Sequence, residues 1–197
     1  MSRTYQTIPA APLQKGATFH KPRQKLPERV TLDDSAMQVM TDFTVVTAYT
    51  IFPLETIEAA RAKMIHRGVR MLLVVDDQNQ ILGLITATDL TGEKPMQVVQ
   101  TQGIRHHDVL VKDIMTPRER LEVLCMDDLQ SARVGDIVQT LKAHGRQHAL
   151  AVERTTDRGQ ILRGMFSVSQ ISRQLGIPVE TTGVAHTFAE LGTELSR

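Results

Sequence analysis

The sequence predicts an α+β fold that is made of two copies of one unit, and three observations support this prediction. First, Gly68 and Gly145 lie 77 residues apart, and each is followed by a short apolar segment. Second, the apolar period changes from helical to extended in the same order in both copies. Third, a second pair of glycines, Gly83 and Gly164, lies 81 residues apart near the end of each copy. Two copies indicate one duplicated domain rather than a solenoid.

The first copy begins with a predicted helix over residues 53–67. Its apolar side chains recur every three to four residues, Thr56 is a suitable N-cap, and Gly68 ends the pattern. A short strand is predicted before this helix, over residues 43–47. The corresponding short strand of the second copy is predicted over residues 121–125.

Two strands and a further helix complete the first copy. Residues 71–75 are almost all apolar, which predicts a strand that is buried on both faces. Residues 76–80 have turn chemistry, and residues 81–86 form the second strand of the predicted hairpin. Asp89 stands where the following helix would begin.

The second copy repeats this order with one difference. A helix over residues 134–141 stops at Gly145, and a later helix over residues 169–175 stops at Gly176. The two strands between them are predicted over residues 148–152 and 161–167. The difference in glycine spacing places four additional residues in the hairpin tip, between residues 154 and 160.

The remaining segments are assigned from composition. The first 30 residues carry six Lys and Arg against one Glu, a net charge of +5, while the whole chain carries +1. We expect a solvated or dimer-wrapping arm there, although such a charge also suits an acidic partner or nucleic acid. The predicted boundaries are a basic arm at 1–35, the first motif at 36–91, a linker with a short helix near 96–102 at 92–110, the second motif at 111–176, and a tail at 177–197 with a helix near 184–195.

Composition also predicts the compartment. The chain has no apolar run long enough to span a bilayer and no signal-peptide core near its first residue, so we expect a cytoplasmic protein. The single cysteine, Cys125, cannot form an internal disulfide and suits a reducing compartment. It shares one strand face with Leu121 and Val123, which predicts a small core residue rather than a reactive thiol.

Several segments of both copies resemble the cystathionine-β-synthase (CBS) motif. They are the entry V-x-D-I-M-T-P at Val111–Pro117, a helix that ends in glycine, a V-V-D strand, and G-h-h-T-x-x-D (h is apolar) at Gly83–Asp89. CBS motifs occur in tandem as a CBS pair, or Bateman module. The resemblance therefore implies two β-α-β-β-α motifs related by a pseudo-two-fold axis, in a protein that forms homodimers through its helices.

The resemblance also implies a ligand. The two clefts of a CBS pair commonly hold adenosyl ligands such as AMP, ADP, ATP, S-adenosylmethionine or NAD. From residue chemistry alone, a carboxylate at Asp89 suits a ribose diol, and the Thr86 hydroxyl near a helix start suits phosphate. The alternative is that Thr86 ends a strand and Asp89 only caps the helix. The residues by themselves leave both interpretations open.

Further ligand contacts are assigned by the resemblance. His148 stands where the family often has a basic residue that meets phosphate, but it is also compatible with a structural imidazole. Gln170 replaces the carboxylate in the second copy, so we expect the Thr86/Asp89 cleft to bind more tightly. The complete set of predicted contact residues is Thr86, Asp89, Val46, Thr47, Val69, Arg70, Met71, Gln147, His148, Ala149, Ser167 and Gln170.

These observations predict a regulatory module rather than an enzyme. No catalytic motif is recognised, and adjacent His106 and His107 diverge, so neither a catalytic nor a metal site is expected. No cofactor is expected beyond the adenosyl ligand. We expect the module to report energy status to a regulated protein whose identity the sequence does not reveal. The alternative is a ligand-free scaffold built on a CBS-pair dimer. A membrane partner is not expected, and nucleic acid is not favoured.

Overall fold

The computed structural model describes residue 14 and residues 24–156 and 159–181. Within these ranges the chain forms eight strands in two four-stranded sheets and seven α-helices. The strands are β1 Met40–Asp42, β2 Thr50–Ile51, β3 Met71–Val75, β4 Ile81–Thr86, β5 Thr116–Pro117, β6 Val123–Cys125, β7 His148–Thr155 and β8 Gly159–Ser167. The helices are α1 Ile57–Arg67, α2 Ala87–Thr91, α3 Lys94–Gln102, α4 Val111–Ile114, α5 Met126–Leu129, α6 Val134–Ala143 and α7 Val168–Leu175.

The predicted α+β class is confirmed, and most predicted elements are found. Helix α1 begins after Thr56, whose hydroxyl accepts a hydrogen bond from the Ala59 amide, and it ends at Gly68 with φ 66°. Strands β3 and β4 have the predicted bounds. The predicted helix near 184–195 and most of the basic arm lie outside the described residues.

The two sheets have the same construction. Each contains a central antiparallel hairpin, a short strand parallel to the first hairpin strand, and an antiparallel edge strand on the other side. The order is β2-β3-β4-β5 in the first sheet and β1-β8-β7-β6 in the second. The repeat in the sequence is therefore a repeat in topology.

The edge strands are exchanged between the repeats. Strand β1, at the start of the first repeat, pairs with β8 of the second, and β5, at the start of the second repeat, pairs with β4 of the first. Each repeat therefore completes the sheet of the other. This exchange interlocks the two repeats. The domain boundaries at 36–91 and 111–176 stay a prediction.

Both exchanged strands require a glycine on their partner. A β-carbon at Gly164 would lie 2.4 Å from the Thr41 carbonyl oxygen, and one at Gly83 would lie 2.4 Å from the Thr116 carbonyl oxygen. Neither distance is compatible with a side chain, so only glycine permits the strands to approach this closely. Gly83 and Gly164, the second glycine pair of the sequence repeat, therefore mark the positions where the exchanged strands pair.

The predicted strand over residues 43–47 is wrong. This segment is a turn, because the Asp42 carboxylate accepts hydrogen bonds from the Thr44 amide at 2.8 Å and from its hydroxyl at 2.7 Å. The Asp42 carbonyl also accepts hydrogen bonds from the Val45 and Val46 amides. These bonds direct the backbone out of the sheet. The chain pairs in a sheet only before and after this turn, in β1 and β2.

Other elements differ from prediction mainly in length. Helix α3 begins two residues earlier, with Pro95 in its first turn. The predicted strand over 121–125 is reduced to β6, and a 3-10 turn precedes it. The four additional residues of the second hairpin extend its strands, so that Arg154 pairs with Gln160 and Thr155 with Gly159.

The core confirms the prediction of a strand that is buried on both faces. Leu72 and Val74 of β3 pack with helix α1 on the outer side of the first sheet. Met71, Leu73 and Val75 point the other way and pack with Leu150 of the second sheet. The two sheets therefore face each other, and helices cover their outer faces.

The described part of the basic arm has two points of attachment. The Gln24 side chain donates to the Met40 carbonyl at 2.8 Å and accepts from the Asp42 amide at 2.9 Å, so it binds the outer edge of β1. Val30 is buried in the core of the second repeat. Lys25 and residues 27–29 between these points are exposed.

Cys125 is half-buried at the end of β6 instead of fully buried. Its sulfur lies 3.8 Å from the Asp127 carboxylate. No helix in the described part of the chain has the length and hydropathy needed to cross a membrane.

Candidate functional site

A cleft of about 690 Å³ opens between the two repeats, a size in the range of small-molecule sites. One wall is the turn between β1 and β2 together with the start of β3. The other wall is the end of β8 and the first turns of α7. The exchange of β1 brings these walls together, because the turn follows directly from the strand that pairs with β8.

Eight of the twelve predicted contact residues line this cleft. They are Val46, Thr47, Val69, Arg70, Met71, His148, Ser167 and Gln170. The apolar slot thus comes from the first repeat, and the hydroxyl and amide come from the second. The other four predicted residues, Thr86, Asp89, Gln147 and Ala149, do not line it.

Sequence reasoning missed several wall residues. Ser169 and Arg173 lie on the face of α7 that carries Gln170, so helical spacing would have identified them. Tyr49 follows the turn, and its ring is covered on one side by the Arg67 guanidinium, 5.3 Å from the ring centroid. No sequence signal identified Tyr49, because its position depends on the turn at Asp42. The remaining missed residues are Thr41, Phe43, Val45, Ala48, Gly68, Leu73 and Met165.

The cleft is positively charged. The described residues that line it include two exposed arginines, Arg70 and Arg173, and no carboxylate. Within the described part of the chain, neither arginine forms an ion pair. Unpaired guanidinium groups beside a concave surface favour an anionic ligand, because they can donate several charge-assisted hydrogen bonds to phosphate or carboxylate.

His148 contributes a neutral imidazole. Burial and, to a smaller extent, the positive charge of Arg70 lower its pKa from 6.5 to about 4, against an opposing effect of Asp89. Its Nδ1 atom is buried and has no hydrogen-bond partner among the described residues.

Gln170 is held loosely. Its side-chain oxygen accepts from the Thr41 hydroxyl at 3.3 Å, and its nitrogen donates to the Val39 carbonyl at 3.4 Å. These distances lie beyond the usual range, so the bonds are weak. The amide can therefore turn toward a ligand at small cost. Close by, the Ser167 and Ser169 hydroxyls are hydrogen-bonded to each other at 2.8 Å.

Thr86 and Asp89, by contrast, bond to each other. The Asp89 carboxylate accepts from the Thr86 amide at 2.8 Å and from its hydroxyl at 2.7 Å, and the Asp89 amide donates to the same hydroxyl at 3.3 Å. The other carboxylate oxygen forms an ion pair with Lys94. This is a capping box at the start of α2, the alternative that the residues left open.

Asp42 and Arg163 form a further polar network at the edge of the second sheet. Arg163 donates to both Asp42 oxygens, at 2.9 and 2.8 Å, and also pairs with Glu153. The guanidinium holds the pKa of the Asp42 carboxyl well below its usual range. This network fastens the exchanged strand β1 to the second hairpin and so fixes one wall of the cleft.

The described residues contain no group of three or more His, Cys, Asp or Glu side chains that could hold a metal ion. The first repeat, with the start of α3, does match a known family. Residues 36–94 match the family model for the CBS domain. No curated protein is significantly similar in sequence.

Solved structures share this fold over 71–73% of the chain. An uncharacterized conserved protein from Pyrococcus horikoshii is 20% identical, with a TM-score of 0.52 over 72% of this chain and 92% of its own. CBSX2 in complex with AMP is 19% identical, with a TM-score of 0.51 over 71% and 94%. The chain folds as a CBS domain pair.

A third structure extends this comparison. The CBS domain pair of protein MJ0100, in complex with 5′-methylthioadenosine and S-adenosyl-L-methionine, is 15% identical, with a TM-score of 0.51 over 73% of this chain and 97% of its own. The CBS-pair resemblance seen in the sequence is thereby confirmed at the level of the fold. At these identities the comparisons concern the fold, and the ligands belong to the proteins that contain them.

Proposed function

We propose that this CBS pair is a regulatory module that binds an adenine nucleotide in the cleft between its repeats. The observation that carries the proposal is the cleft itself: about 690 Å³, with apolar side chains and Arg70 on one side, and hydroxyls, an amide and Arg173 on the other. Two CBS pairs of the same fold contain adenosyl ligands in their structures, which supports the choice of ligand class.

The distribution of side chains suggests the orientation of the ligand. The purine fits against Val46, Val69 and Met71, which supply apolar surface next to exposed backbone. The ribose hydroxyls fit beside Ser167 and Gln170, which offer a hydroxyl and a weakly held amide. The phosphate then points to Arg70 and Arg173, the unpaired cations of the cleft.

The charge of the cleft favours a nucleotide over S-adenosylmethionine. S-adenosylmethionine carries a sulfonium and an ammonium group, and none of the described residues that line the cleft has a carboxylate to receive them. AMP, ADP and ATP present anionic phosphates to the arginines instead. Each charge-assisted hydrogen bond is worth roughly 1.5–3 kcal/mol, so the preference should be large enough to measure.

Regulation follows from the position of the cleft. One wall belongs to the first repeat and the other to the second, so a ligand that contacts both changes the relative stability of their arrangements. The ligand can shift this equilibrium only by its difference in affinity for the two arrangements. A partner protein that contacts both repeats would detect the shift.

Calorimetry with AMP, ADP, ATP, NAD and S-adenosylmethionine tests the proposal. We expect the phosphate-bearing nucleotides to bind and Arg70→Gln or Arg173→Gln to weaken them roughly tenfold or more, the loss of one charge-assisted bond. Arg105→Gln is the matched control, because this arginine is exposed away from the cleft. Failure of every ligand to bind would instead support the ligand-free scaffold, and tighter binding of S-adenosylmethionine would refute the charge argument.

A further inference from the structure

The described end of the basic arm crosses the last turn of α7. The Val30 amide donates to the Gln174 carbonyl at 3.0 Å, one of the carbonyls that the end of a helix leaves without a helical partner. The Gln174 side chain in turn donates to the Pro27 carbonyl at 2.8 Å. A β-carbon on the glycine that ends α7 would overlap the Arg29 guanidinium, so this cation lies at the helix end where it is favourable. Residues 24–30 therefore form a strap that is fastened to α7.

Gln174 connects this strap to the cleft. It is only 4% exposed, and its side-chain nitrogen donates to the Gln38 carbonyl at 3.1 Å as well as to the strap. Its side-chain oxygen accepts from the nitrogen of Gln170 at 3.4 Å, the one hydrogen bond that this oxygen forms within the described part of the chain. Gln170 lies one turn earlier on α7 and lines the cleft. Two side-chain amides thus lead from the cleft to the strap.

The strap also supports the opposite wall of the cleft. Its first residue, Gln24, binds the Met40 carbonyl and the Asp42 amide with its side chain. Asp42 ends β1 and builds the turn that forms the other wall. The strap therefore joins the supports of both walls, and its attachment depends on how they are arranged.

We infer that a nucleotide in the cleft releases the strap from α7 through Gln170 and Gln174, and this coupling rests on the proposed function of the cleft. When the Gln170 amide turns toward a ribose, the buried oxygen of Gln174 loses its donor. An unpaired buried acceptor is costly, so the Gln174 amide turns as well and gives up its bond to the Pro27 carbonyl. Occupancy of the cleft is thereby converted into a change at the surface of the protein. Because coupling is reciprocal, a detached strap raises the affinity for the nucleotide by the same factor.

Hydrogen exchange of the Val30 amide measures the attachment of the strap in the unmodified chain. Saturating AMP should accelerate this exchange about fivefold, which corresponds to the loss of one hydrogen bond. The control is the Ile57 amide, which donates to the Val109 carbonyl in the first repeat. Its exchange should stay the same or become slower, because a bound ligand stabilises the folded chain. Slower exchange at both amides, or an unchanged rate at Val30 with AMP bound, would overturn the inference.

Gln174→Met tests the reciprocal effect, because methionine has roughly the size of glutamine but lacks the amide that bonds to the strap. In this variant the Val30 amide should exchange rapidly with or without AMP, and AMP should bind about fivefold tighter by calorimetry. Gln102→Met is the matched control, since Gln102 is exposed at the end of α3, and it should behave as the wild type. Unchanged or weaker AMP binding in a folded Gln174→Met would contradict the coupling. If this variant does not fold, hydrogen exchange of the unmodified chain decides.

Gln170→Met tests the coupling without a ligand. It removes the donor to Gln174, so the Val30 amide should exchange about fivefold faster in the nucleotide-free variant than in the wild type. If AMP does not bind but this variant shows the acceleration, the proposed function fails and the coupling stands. If AMP binds but neither AMP nor the substitution accelerates the exchange, the coupling fails and the proposed function stands. An effect of AMP without an effect of Gln170→Met would exclude the path through Gln170 and so overturn the inference.

Discussion

Replacing Gly164 with alanine should damage the strand exchange that builds the cleft. The added β-carbon would lie 2.4 Å from the Thr41 carbonyl oxygen and 3.2 Å from two atoms of the Met40 side chain. Real β-carbons do not approach backbone oxygens closer than 3.0 Å, so β1 must move by at least about 0.6 Å. The neighbouring hydrogen bond from the Phe43 amide to the Arg163 carbonyl is 2.8 Å long. The same movement would stretch it to about 3.4 Å, beyond the usual range.

The expected cost combines overpacking with the weakened hydrogen bond. Overpacking in a filled site costs about 1–3 kcal/mol and a lost hydrogen bond about 0.5–1.5 kcal/mol, which together suggest about 2–4 kcal/mol. For a domain of this size the melting temperature should fall by roughly 5–15 °C. Nucleotide affinity should fall as well, because the turn that follows β1 forms a wall of the cleft.

Urea unfolding of Gly164→Ala, with Gly103→Ala as the control, measures this effect. Gly103 has φ 67°, and a β-carbon added to it would have no other atom within 4 Å, so its substitution tests the backbone conformation alone. That conformation costs about 1–2 kcal/mol for a residue with a β-carbon. A smaller loss of stability in Gly164→Ala than in Gly103→Ala would refute the argument that the exchanged strand demands a glycine.

Three further predictions concern pH and assembly. His148→Met copies the residue at the corresponding position of the first repeat, Met71. The folded-state pKa of His148 is about 4 and the ordinary value is 6.5, so between these values the unfolded chain takes up a proton that the folded chain does not. Wild-type stability should therefore fall by up to about 3 kcal/mol as the pH drops from 6.5 to 4, and the methionine variant should lose that much less in urea titrations; parallel curves would contradict the burial of the imidazole. Asp42→Asn removes the charge that Arg163 binds and should lower the free energy of unfolding by about 2 kcal/mol at pH 7. Because the folded-state pKa of Asp42 is lowered, its contribution to the free energy of unfolding is present above pH 4 and is lost on further acidification. If the stability of Asp42→Asn falls below pH 4 as steeply as that of the wild type, this result would count against the ion pair. Finally, the homodimer stays a prediction: Ile65 near the end of α1 is 71% exposed and Leu54 ahead of α1 is 67% exposed. Light scattering at micromolar concentration should give twice the mass of one chain, whereas a stable single-chain mass would exclude the dimer.

The candidate site illustrates how far residue types carry a prediction. Val46 and Val69 line the cleft, and the motif resemblance places both next to the start of β3; their contact with a ligand stays a prediction. The choice between Gln170 and Asp89 was made on charge, since a carboxylate accepts stronger hydrogen bonds than an amide. Charge alone did not reveal that Asp89 already pairs with Lys94 and Thr86. A group's chemistry predicts what it can bind, while its neighbours determine whether it is free to do so.

The sequence by itself determined the repeat, the α+β class and the order of helices and strands. These depend on local patterns: apolar spacing, caps such as Thr56, and the left-handed glycine at Gly68. The sequence also shows the paired glycines Gly83 and Gly164, but it does not show that each allows an exchanged strand to approach.

Only the tertiary structure decided which repeat each edge strand joins and which of the predicted residues line the cleft. The exchange of β1 and β5 is set by pairing between segments distant in the chain, and no local pattern distinguishes it from pairing within a repeat. The place of Tyr49 in the cleft wall likewise depends on the turn at Asp42. Local periodicity specifies the elements, but the free energy that selects their partners comes from packing that exists only once the chain has folded.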